Sequence, residues 1–371
     1  MSVSIRHLHI THGTTFCLLA VISLFGFFIS FQLILYSPKA AICYPKSNIV
    51  FLKTHKCAGS SIQNILMRYG DTRNLNFALP ATTNYLGHPQ LFDRSQIMQP
   101  RPPVFNILTH HTRLNFTEIK DIMPNNTIFI TILRDPAKLF ESLFYYYGFD
   151  LQFKSLRNFL KVGKQYEGKR FGGRIGFNQM MFDLGADPVI FDNETMVRQY
   201  LKKIETWFDL VLVADRMDES LAMLRQLLCW DFNDVVVFKV NARTKRFKSE
   251  LSDEERKLLK QYNQADVILY NHFLNVFDRK VKEFGEDNMA SEMTELKQKV
   301  KQWYDTCIDE SKTSESVKAA NNAYYNPRIE LLRSKKEFNN ETCDLLTRSE
   351  LDYTEILRVK QKTKFNEKMK L

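Results

Sequence analysis

The stretch NIVFLKTHKCAGSSIQNIL, residues 48–66, decides the fold. Its first part, NIVFLK, is a short apolar run typical of a buried strand, and from Ser60 onward apolar residues recur at helical spacing. The residues between them, Lys53–Ser61, therefore form a loop that joins a strand to a helix. Backbone N–H groups of such a loop and the helix N-terminus converge on one point, so the loop is suited to bind an anion.

The side chains of this loop also favour an anion. Gly59 lets a ligand approach the backbone closely, Lys56 supplies a positive charge, and the hydroxyls of Ser60 and Ser61 can donate hydrogen bonds. The Gly-Lys-Ser/Thr order of the Walker A loop is missing, which disfavours a P-loop kinase. The alternative is an ordinary strand-to-helix turn with a solvated lysine.

The same alternation of strands and helices recurs along the chain. The sequence predicts further strands over residues 104–109, 127–133 and 208–214, and helices over residues 136–147 and 218–229. This alternation predicts an α/β fold in which helices flank a parallel sheet. Ligands of such folds bind at the carboxyl ends of the strands, where the loop lies.

A second candidate anion site follows the strand over residues 127–133. Arg134 stands directly after this strand, and Ser142 comes eight residues later on a helix opened by Pro136. A guanidinium group can bind phosphate through two parallel hydrogen bonds, and a hydroxyl can add another. The alternative is that Arg134 and Asp135 only fix the start of the helix.

The composition favours a small anionic ligand. The chain has 371 residues, of which 44% are hydrophobic and 13% aromatic, as in a packed globular protein. Its formal net charge of +10 favours anionic partners. There is no block of five or more like charges, no zinc-finger spacing and no aromatic RNA-binding signature, so we do not expect nucleic acid as a partner.

An uncharged segment near the N-terminus predicts a membrane anchor. Residues 14–36 hold no charged side chain, and a helix of this length can cross a bilayer core. A cleaved signal peptide is the alternative, but its apolar core would be shorter. The predicted parts of the chain are a cytoplasmic tail (1–13), a transmembrane signal anchor (14–36), a stem (37–47), a luminal domain (48–280) and a helical C-terminal extension packed on it (281–371).

Sequons and cysteines are consistent with a luminal domain. The sequons begin at Asn115, Asn125, Asn193 and Asn340, and they are usable only if the domain is luminal. The candidate disulfide partners in an oxidising lumen are Cys43, Cys229, Cys307 and Cys343. We expect Cys307 to pair with Cys343, and the alternative is that these cysteines are buried free thiols.

The lysine-containing loop, followed by Arg134 and Ser142, resembles the sulfotransferase superfamily. Within it, the chain is most similar to the galactose-3-O-sulfotransferases. The stretches that carry this resemblance are FLKTHKCAGSSIQNIL (51–66), ILTHHTRLNF (107–116), ILRDPAKLFESLFYYY (132–147), FDLVLVADRMDESLAMLRQLLCW (208–230) and VVVFKVNAR (235–243).

The resemblance implies a sulfate donor, 3′-phosphoadenosine-5′-phosphosulfate, and assigns residues to it. The 5′-phosphosulfate would be bound by the loop, through Lys53, Lys56, Cys57, Ala58, Gly59, Ser60 and Ser61. The 3′-phosphate would be bound by Arg134 and Ser142, with Arg243 as a later contact. Members of the family commonly carry threonine at the position of Cys57, a change that leaves backbone contacts intact but could alter the reactivity of the loop.

Sulfate transfer needs a base and a cation. A sugar hydroxyl attacks sulfur, so a base takes its proton while a cation stabilises the departing phosphate oxygen. Lys56 suits the second role. The candidate bases are His55, His110 and His111, because histidine titrates near the operating pH. No metal is needed for this transfer, and we expect none.

These expectations combine into one functional hypothesis. The chain is expected to be a single-pass type II protein of the Golgi membrane that sulfates the 3-hydroxyl of galactose in a galactosylceramide-like glycolipid or in a glycan. The alternative is a non-catalytic Golgi carbohydrate-binding protein with the same fold. Cys57 is the feature that favours this alternative, because members of the family commonly carry threonine there. A phosphoryl-transferring enzyme would instead need a metal and a Walker-type loop.

Overall fold

A four-stranded parallel sheet organises the computed structural model, which describes residues 43–166, 168–171, 173, 175–238, 250–308, 332, 335 and 340–368. The strands are β1 (Ile49–Leu52), β2 (Ile107–Leu108), β3 (Ile128–Leu133), β4 (Arg170–Phe171), β5 (Ile175–Gly176) and β6 (Leu210–Val213). The sheet has the order β2-β1-β3-β6 and all of its neighbouring strands are parallel, while β4 and β5 form a separate antiparallel pair. The predicted α/β fold with a parallel sheet is confirmed.

The register of the sheet aligns the carboxyl ends of its strands. Ile49 of β1 lies opposite Ile107 of β2 and Ile128 of β3, and Ile130 of β3 lies opposite Leu210 of β6. The strands are nearly continuous apolar runs because both faces of a parallel sheet are covered. The segments after β1, β2 and β3 therefore emerge side by side at one edge.

The predicted strands are shorter in the structure: the strand expected over residues 208–214 covers Leu210–Val213, and the strand expected over residues 104–109 is shortened further. The strand expected over residues 104–109 pairs with β1 only at Ile107 and Leu108. Asn76 binds the preceding residues instead, since its side chain donates to the Val104 carbonyl oxygen at 3.0 Å and its own carbonyl oxygen accepts from the Asn106 N–H at 2.8 Å. Val104 is 48% exposed, so it does not belong to the buried sheet.

Helices follow the strands, and the last of them ends at Lys368. Their bounds are α1 (Gly59–Thr72), α2 (Phe116–Ile122), α3 (Pro136–Tyr146), α4 (Phe149–Phe153), α5 (Leu156–Val162), α6 (Gln179–Asp183), α7 (Glu194–Trp207), α8 (Met217–Leu228), α9 (Phe232–Val235), α10 (Asp253–Tyr262), α11 (Gln264–Phe284), α12 (Glu286–Cys307), α13 (Glu341–Thr347) and α14 (Glu350–Lys368). The helices predicted after β1, β3 and β6 correspond to α1, α3 and α8. Helix α11 runs through residue 280, where the sequence analysis placed the end of the main domain.

Helix α1 is covered on almost every side. Its apolar residues Ile62 and Ile65 are fully buried, and so are most of its polar ones. Asn64 donates to the Leu345 carbonyl oxygen of α13 at 3.0 Å, and Arg68 donates to the Asp234 carbonyl oxygen of α9 at 3.3 Å. Because Asn64 and Arg68 form these hydrogen bonds, both side chains can be buried between the sheet and later helices.

Helices α6 and α11 fix each other through their N-terminal ends. The Asp266 carboxylate of α11 accepts hydrogen bonds from the backbone N–H groups of Met180 (3.0 Å) and Met181 (2.8 Å). In return, the Asn178 side chain accepts from the Asp266 N–H at 3.1 Å, and the Asn178 N–H donates to the Asn263 side chain at 2.8 Å. This reciprocal contact sets the position of α6. Burial raises the pKa of Asp266 to about 7, despite these backbone hydrogen bonds.

The predicted disulfide between Cys307 and Cys343 is present. It connects the end of α12 to α13 and lies in a small buried cluster with Val236, Phe238 and Leu346. The bond therefore holds the segment that leads into α14.

Within the described ranges, we find no helix that is both long and apolar enough to cross a membrane. The predicted anchor at residues 14–36 lies outside those ranges.

We predict that replacing both Cys307 and Cys343 with serine lowers the free energy of unfolding. The bond joins residues 36 apart, and a cross-link of that length is worth about 4 kcal/mol because it restricts the unfolded chain. Urea denaturation of the purified full chain measures the change. The double variant Thr306→Ser/Thr342→Ser alters the neighbouring residues and serves as the control. Equal stability of the two double variants would contradict the prediction.

We also predict that Asp266 makes stability depend on pH. Aspartate in an unfolded chain titrates near pH 3.9, so between about pH 4 and pH 7 the folded chain holds a proton that the unfolded chain has released. The contribution of Asp266 to stability is therefore largest at low pH and falls as the pH rises through this window. From pH 5 to pH 8 we expect the unaltered chain to lose about 2–3 kcal/mol of stability relative to Asp266→Asn.

Urea denaturation across this pH range tests the expectation. The control is Asp278→Asn, which removes a surface carboxylate from the same helix and should follow the unaltered chain. A stability difference between the unaltered chain and Asp266→Asn that stays constant with pH would refute the proposed titration.

Candidate functional site

The loop Lys53–Ser61 joins β1 to α1, as the sequence predicts, and it has an unusual backbone. Lys56 and Ala58 both have positive φ, at 56° and 61°, before α1 begins at Gly59. Non-glycine residues rarely adopt this conformation, and it persists where the surroundings hold it in place. The Thr54 hydroxyl donates to the Ile132 carbonyl oxygen of β3, which ties the loop to the sheet.

Arg134 also holds the loop. It follows β3, and its Nη1 donates to the Lys56 carbonyl oxygen at 2.9 Å. The next residue, Asp135, caps α3 by accepting from the N–H groups of Ala137 and Lys138, both at 3.0 Å. The two predicted anion elements therefore meet. The alternative, that Arg134 and Asp135 only fix the start of the helix, is also partly right, because Asp135 caps α3.

Glycine at position 59 leaves room for Lys53. A Cβ atom at Gly59 would lie 2.8 Å from the Lys53 Cγ atom. Lys53 is buried, and its Nζ donates to Gln63 Oε1 at 2.6 Å and pairs with Glu350 Oε2 at 2.5 Å. Burial lowers the pKa of Lys53, and the ion pair with Glu350 opposes this effect.

Glu350, at the first position of α14, contacts several loop side chains. Ser60 Oγ donates to Glu350 Oε2 at 2.7 Å, and Asn84 Nδ2 donates to Glu350 Oε1. A carboxylate from the C-terminal helix thus lies among the loop residues that the sequence assigned to an anion.

The remaining predicted anion ligands surround the same loop. The Lys56 ammonium lies 3.5 Å from the centre of the Tyr146 ring of α3, a cation–π contact. Ser61 lies in the first turn of α1 and is buried, and Ser142 is buried on α3. Arg243 lies outside the described residues.

Cys57 is a buried free cysteine. Burial raises the pKa of its thiol well above the usual range, and the thiol donates to the His55 carbonyl oxygen at 3.4 Å. A thiol that stays protonated is a poor nucleophile. Cys57 therefore fills space in the loop rather than making it reactive.

His55 forms a buried pair with Asp183. The His55 backbone N–H donates to Asp183 Oδ2 at 2.8 Å, and ring atom Nδ1 lies 2.9 and 3.0 Å from the two carboxylate oxygens. Burial alone would raise the pKa of Asp183, but His55 and His88 together hold it well below its usual range. An ionised carboxylate only accepts, so Nδ1 donates a proton to it.

The Nε2 atom of His55 is buried and has no hydrogen-bond partner among the residues that the structure describes. A buried polar atom without a partner costs free energy unless something satisfies it. The pairing with Asp183 and the open Nε2 are the features of an oriented histidine base.

Further rings surround His55. The His111 ring stacks on it at a centroid distance of 4.4 Å, and the His88 ring lies at 4.6 Å. Tyr85 stacks on His111 at 5.1 Å. His111 Nδ1 donates to the Lys53 carbonyl oxygen at 3.1 Å, and burial together with Lys53, His55 and His88 lowers the pKa of His111 well below its usual range. His111 is therefore neutral near neutral pH.

His110 points to a different element. Its side chain is fully buried, and Nε2 lies 3.0 Å from the Thr354 hydroxyl of α14. That hydroxyl in turn donates to the Glu350 carbonyl oxygen at 2.8 Å. His110 thus connects the end of β2 to α14, and of the three candidate bases it is His55 and His111 that the structure brings together.

His55, His88 and Asp183 could also hold a cation. Their ligand atoms lie within 4.8 Å of one another and all three residues are buried. His88 Nε2 lies 3.4 Å from Asp183 Oδ1, and within the described part of the chain neither His88 nitrogen makes a hydrogen bond. Two histidines and one carboxylate are a common ligand set for transition metals. The sequence analysis saw no ligand cluster because these residues are far apart in the chain.

Several residues of the site were missed from the sequence. Asp183 lies in no recognisable motif, and its position depends on the contact between α6 and α11 described above. Tyr146 had a weak signal, the run Tyr145-Tyr146-Tyr147 at the end of α3. Glu350 had none, because only the packed α14 brings it to the loop.

The chain is similar in sequence to known proteins. A profile of the family described as Galactose-3-O-sulfotransferase matches residues 14–361. The chain is 40% identical over 279 residues to galactosylceramide sulfotransferase of Homo sapiens, covering 73% of this chain and 66% of that protein. It is 33% identical over 337 residues to galactose-3-O-sulfotransferase 2 of Sus scrofa, covering 85% of each.

A third relative is galactose-3-O-sulfotransferase 3 of Mus musculus, 35% identical over 265 residues, with 67% of this chain and 61% of that protein covered. The match therefore spans slightly less than two thirds of the human galactosylceramide sulfotransferase. The family profile covers nearly the whole chain and includes every site residue described above. The chain belongs to the galactose-3-O-sulfotransferase family.

Proposed function

We propose that this chain transfers the sulfuryl group of 3′-phosphoadenosine-5′-phosphosulfate to the 3-hydroxyl of a galactose residue in a glycolipid or glycan. The observation that carries the proposal is the pairing of His55 with Asp183 inside a loop that also presents Lys56. An oriented base and a cation on adjacent residues are what sulfate transfer needs. Family membership supports galactose as the acceptor sugar.

The proposed step balances as follows. The galactose hydroxyl oxygen forms a bond to sulfur while the bond between sulfur and the phosphate oxygen breaks. The hydroxyl proton passes to His55 Nε2, and the imidazolium that results is stabilised by the Asp183 carboxylate. The leaving phosphate oxygen gains negative charge, which Lys56 stabilises. The products are sulfated galactose and 3′-phosphoadenosine-5′-phosphate.

The proposed donor site fits the charges of the loop. In the proposed site, the N-terminus of α1 and the side chains of Lys53, Lys56 and Ser61 bind the 5′-phosphosulfate, and Arg134 and Ser142 bind the 3′-phosphate. We assign His110 a structural role, since its ring nitrogen is held by Thr354. His111 is the second candidate base, and its stacking on His55 limits the rotation of that ring.

The proposed setting is the Golgi membrane, with residues 14–36 as a signal anchor and the described domain in the lumen. The disulfide between Cys307 and Cys343 supports an oxidising compartment. The non-catalytic alternative is weakened by Cys57, because this residue is a buried thiol that leaves the neighbouring histidine and lysine in place.

We predict that Lys56→Ala and His55→Ala abolish most sulfate transfer. Loss of a group that stabilises a leaving oxygen costs roughly 10²–10³ in kcat, and loss of a general base costs roughly 10²–10⁴. The assay incubates the full chain with the labelled sulfate donor and a panel of galactosides, and it identifies the sulfated hydroxyl in the product.

Matched histidine variants separate the candidate bases. His111→Ala should reduce kcat less than His55→Ala, and His272→Ala, which alters a half-exposed histidine paired with Glu205, should have no effect. A larger loss for His111→Ala than for His55→Ala would transfer the base role to His111. Binding of the sulfate donor without transfer to any galactoside would favour the carbohydrate-binding alternative.

We predict that a chelator leaves sulfate transfer unchanged. Asp183 already orients His55, and Lys56 supplies the charge that a metal would otherwise provide. The measurement is the initial rate after dialysis against EDTA. If EDTA abolished transfer and one divalent metal restored it, His55, His88 and Asp183 would be metal ligands instead, and the proposed proton transfer to His55 would be wrong.

A further inference from the structure

The carboxylate of Glu350 lies where an anion would bind in the loop. Three hydrogen-bond donors converge on it: Lys53 Nζ at 2.5 Å, Ser60 Oγ at 2.7 Å and the side-chain amide of Asn84. A charged lysine, a hydroxyl and an amide around one group are the usual surroundings of a bound phosphate or sulfate. Here the protein itself provides the anion, from a residue 290 positions after Ser60.

Glu350 is not needed to cap its own helix. Ser349 performs that function, because its hydroxyl accepts from the Asp352 N–H at 3.3 Å and donates to the Asp352 carboxylate at 2.6 Å. The Glu350 side chain is therefore available for the loop, and it is only 13% exposed. A charge so buried has to be paired, and Lys53 pairs it.

Helix α14 holds Glu350 in this place. Gln361 forms hydrogen bonds with both the N–H (2.9 Å) and the carbonyl oxygen (3.1 Å) of Phe77, and Arg358 donates to the Pro80 carbonyl oxygen at 2.9 Å. Tyr353 donates to the Asp71 carboxylate of α1 at 3.2 Å. With the helix fixed to its neighbours, the Glu350 side chain can leave the loop by rotating about its own bonds.

We propose that Glu350 occupies the position of the 5′-phosphosulfate in the free chain, and that it must release Lys53 and Ser60 before the sulfate donor binds. This inference rests on the proposed function, since it takes the loop as the site of that group. The carboxylate and the 5′-phosphosulfate compete for the same hydrogen-bond donors. Because both are negatively charged, they also repel each other. Glu350 therefore weakens binding of the sulfate donor, and it keeps Lys53 and Ser60 oriented while the site is free.

The test measures binding of 3′-phosphoadenosine-5′-phosphate, the stable product nucleotide, by isothermal titration calorimetry. Glu350→Gln keeps the size of the side chain and one acceptor oxygen but removes the charge. We expect the Kd of this variant to be lower by roughly tenfold, which corresponds to about 1.4 kcal/mol. The matched control is Glu355→Gln on the same helix, whose side chain is 64% exposed and pairs with Arg358. Its Kd should not change.

A second ligand shows which phosphate is affected. Adenosine 3′-phosphate lacks the 5′-phosphate, so its affinity should be equal for the unaltered chain and Glu350→Gln. A gain for both nucleotides, or an unchanged or weaker affinity for the bisphosphate in Glu350→Gln, would overturn the proposal. If the unaltered chain bound neither nucleotide, the proposed function itself would fail, and this outcome is distinct from the others.

A measurement on the unaltered chain covers the case in which Glu350→Gln does not fold. Carbodiimide coupling with glycine ethyl ester, read by mass spectrometry, reports the accessibility of each carboxylate. Saturation with 3′-phosphoadenosine-5′-phosphate should raise labelling of Glu350 several-fold while labelling of Glu355 stays constant. Unchanged or reduced labelling of Glu350 would show that the carboxylate stays in the loop, which contradicts the proposal.

Discussion

Parallel pairing of β1 with both β2 and β3 is the constraint on which the site depends. It places the ends of three strands at one edge, so Lys53, His111 and Arg134 emerge close together although the chain separates them by up to 81 positions. The hydrogen bonds from His111 to the Lys53 carbonyl oxygen and from Arg134 to the Lys56 carbonyl oxygen follow from this alignment. Without it, the loop would lose the contacts that hold its left-handed residues.

A second layer of contacts gives the loop its chemistry. The Asp183 carboxylate reaches His55 because α6 is fixed by Asp266 of α11, so the orientation of the base depends on the contact between these two helices. On the opposite side, α14 carries Glu350 to Lys53. The Glu350 carboxylate is thus paired with Lys53, and the Asp183 carboxylate is flanked by His55 and His88, so neither carboxylate is buried alone.

The sequence predicted the parts of the site that are local in the chain. Strand, loop and helix are adjacent in residues 48–66, so their periodicity was sufficient to place Lys56 and Ser60 correctly, and Arg134 directly follows a predicted strand. Asp183 and Glu350 could not be found in this way, because their roles arise from packing between helices that are distant in sequence. The strand over residues 104–109 was predicted too long, since the capture of its first residues by Asn76 is a tertiary contact.

The contacts of α14 have a consequence for chains that end too early. Residues 350–361 include Glu350, the Thr354 hydroxyl that holds His110, and the Gln361 amide that binds the Phe77 backbone. A nonsense codon late in the reading frame, after all the loop, base and sheet residues had been translated, would still remove these contacts and expose part of α1. Chains truncated before α14 are therefore expected to be less stable, even though every loop, base and sheet residue is present.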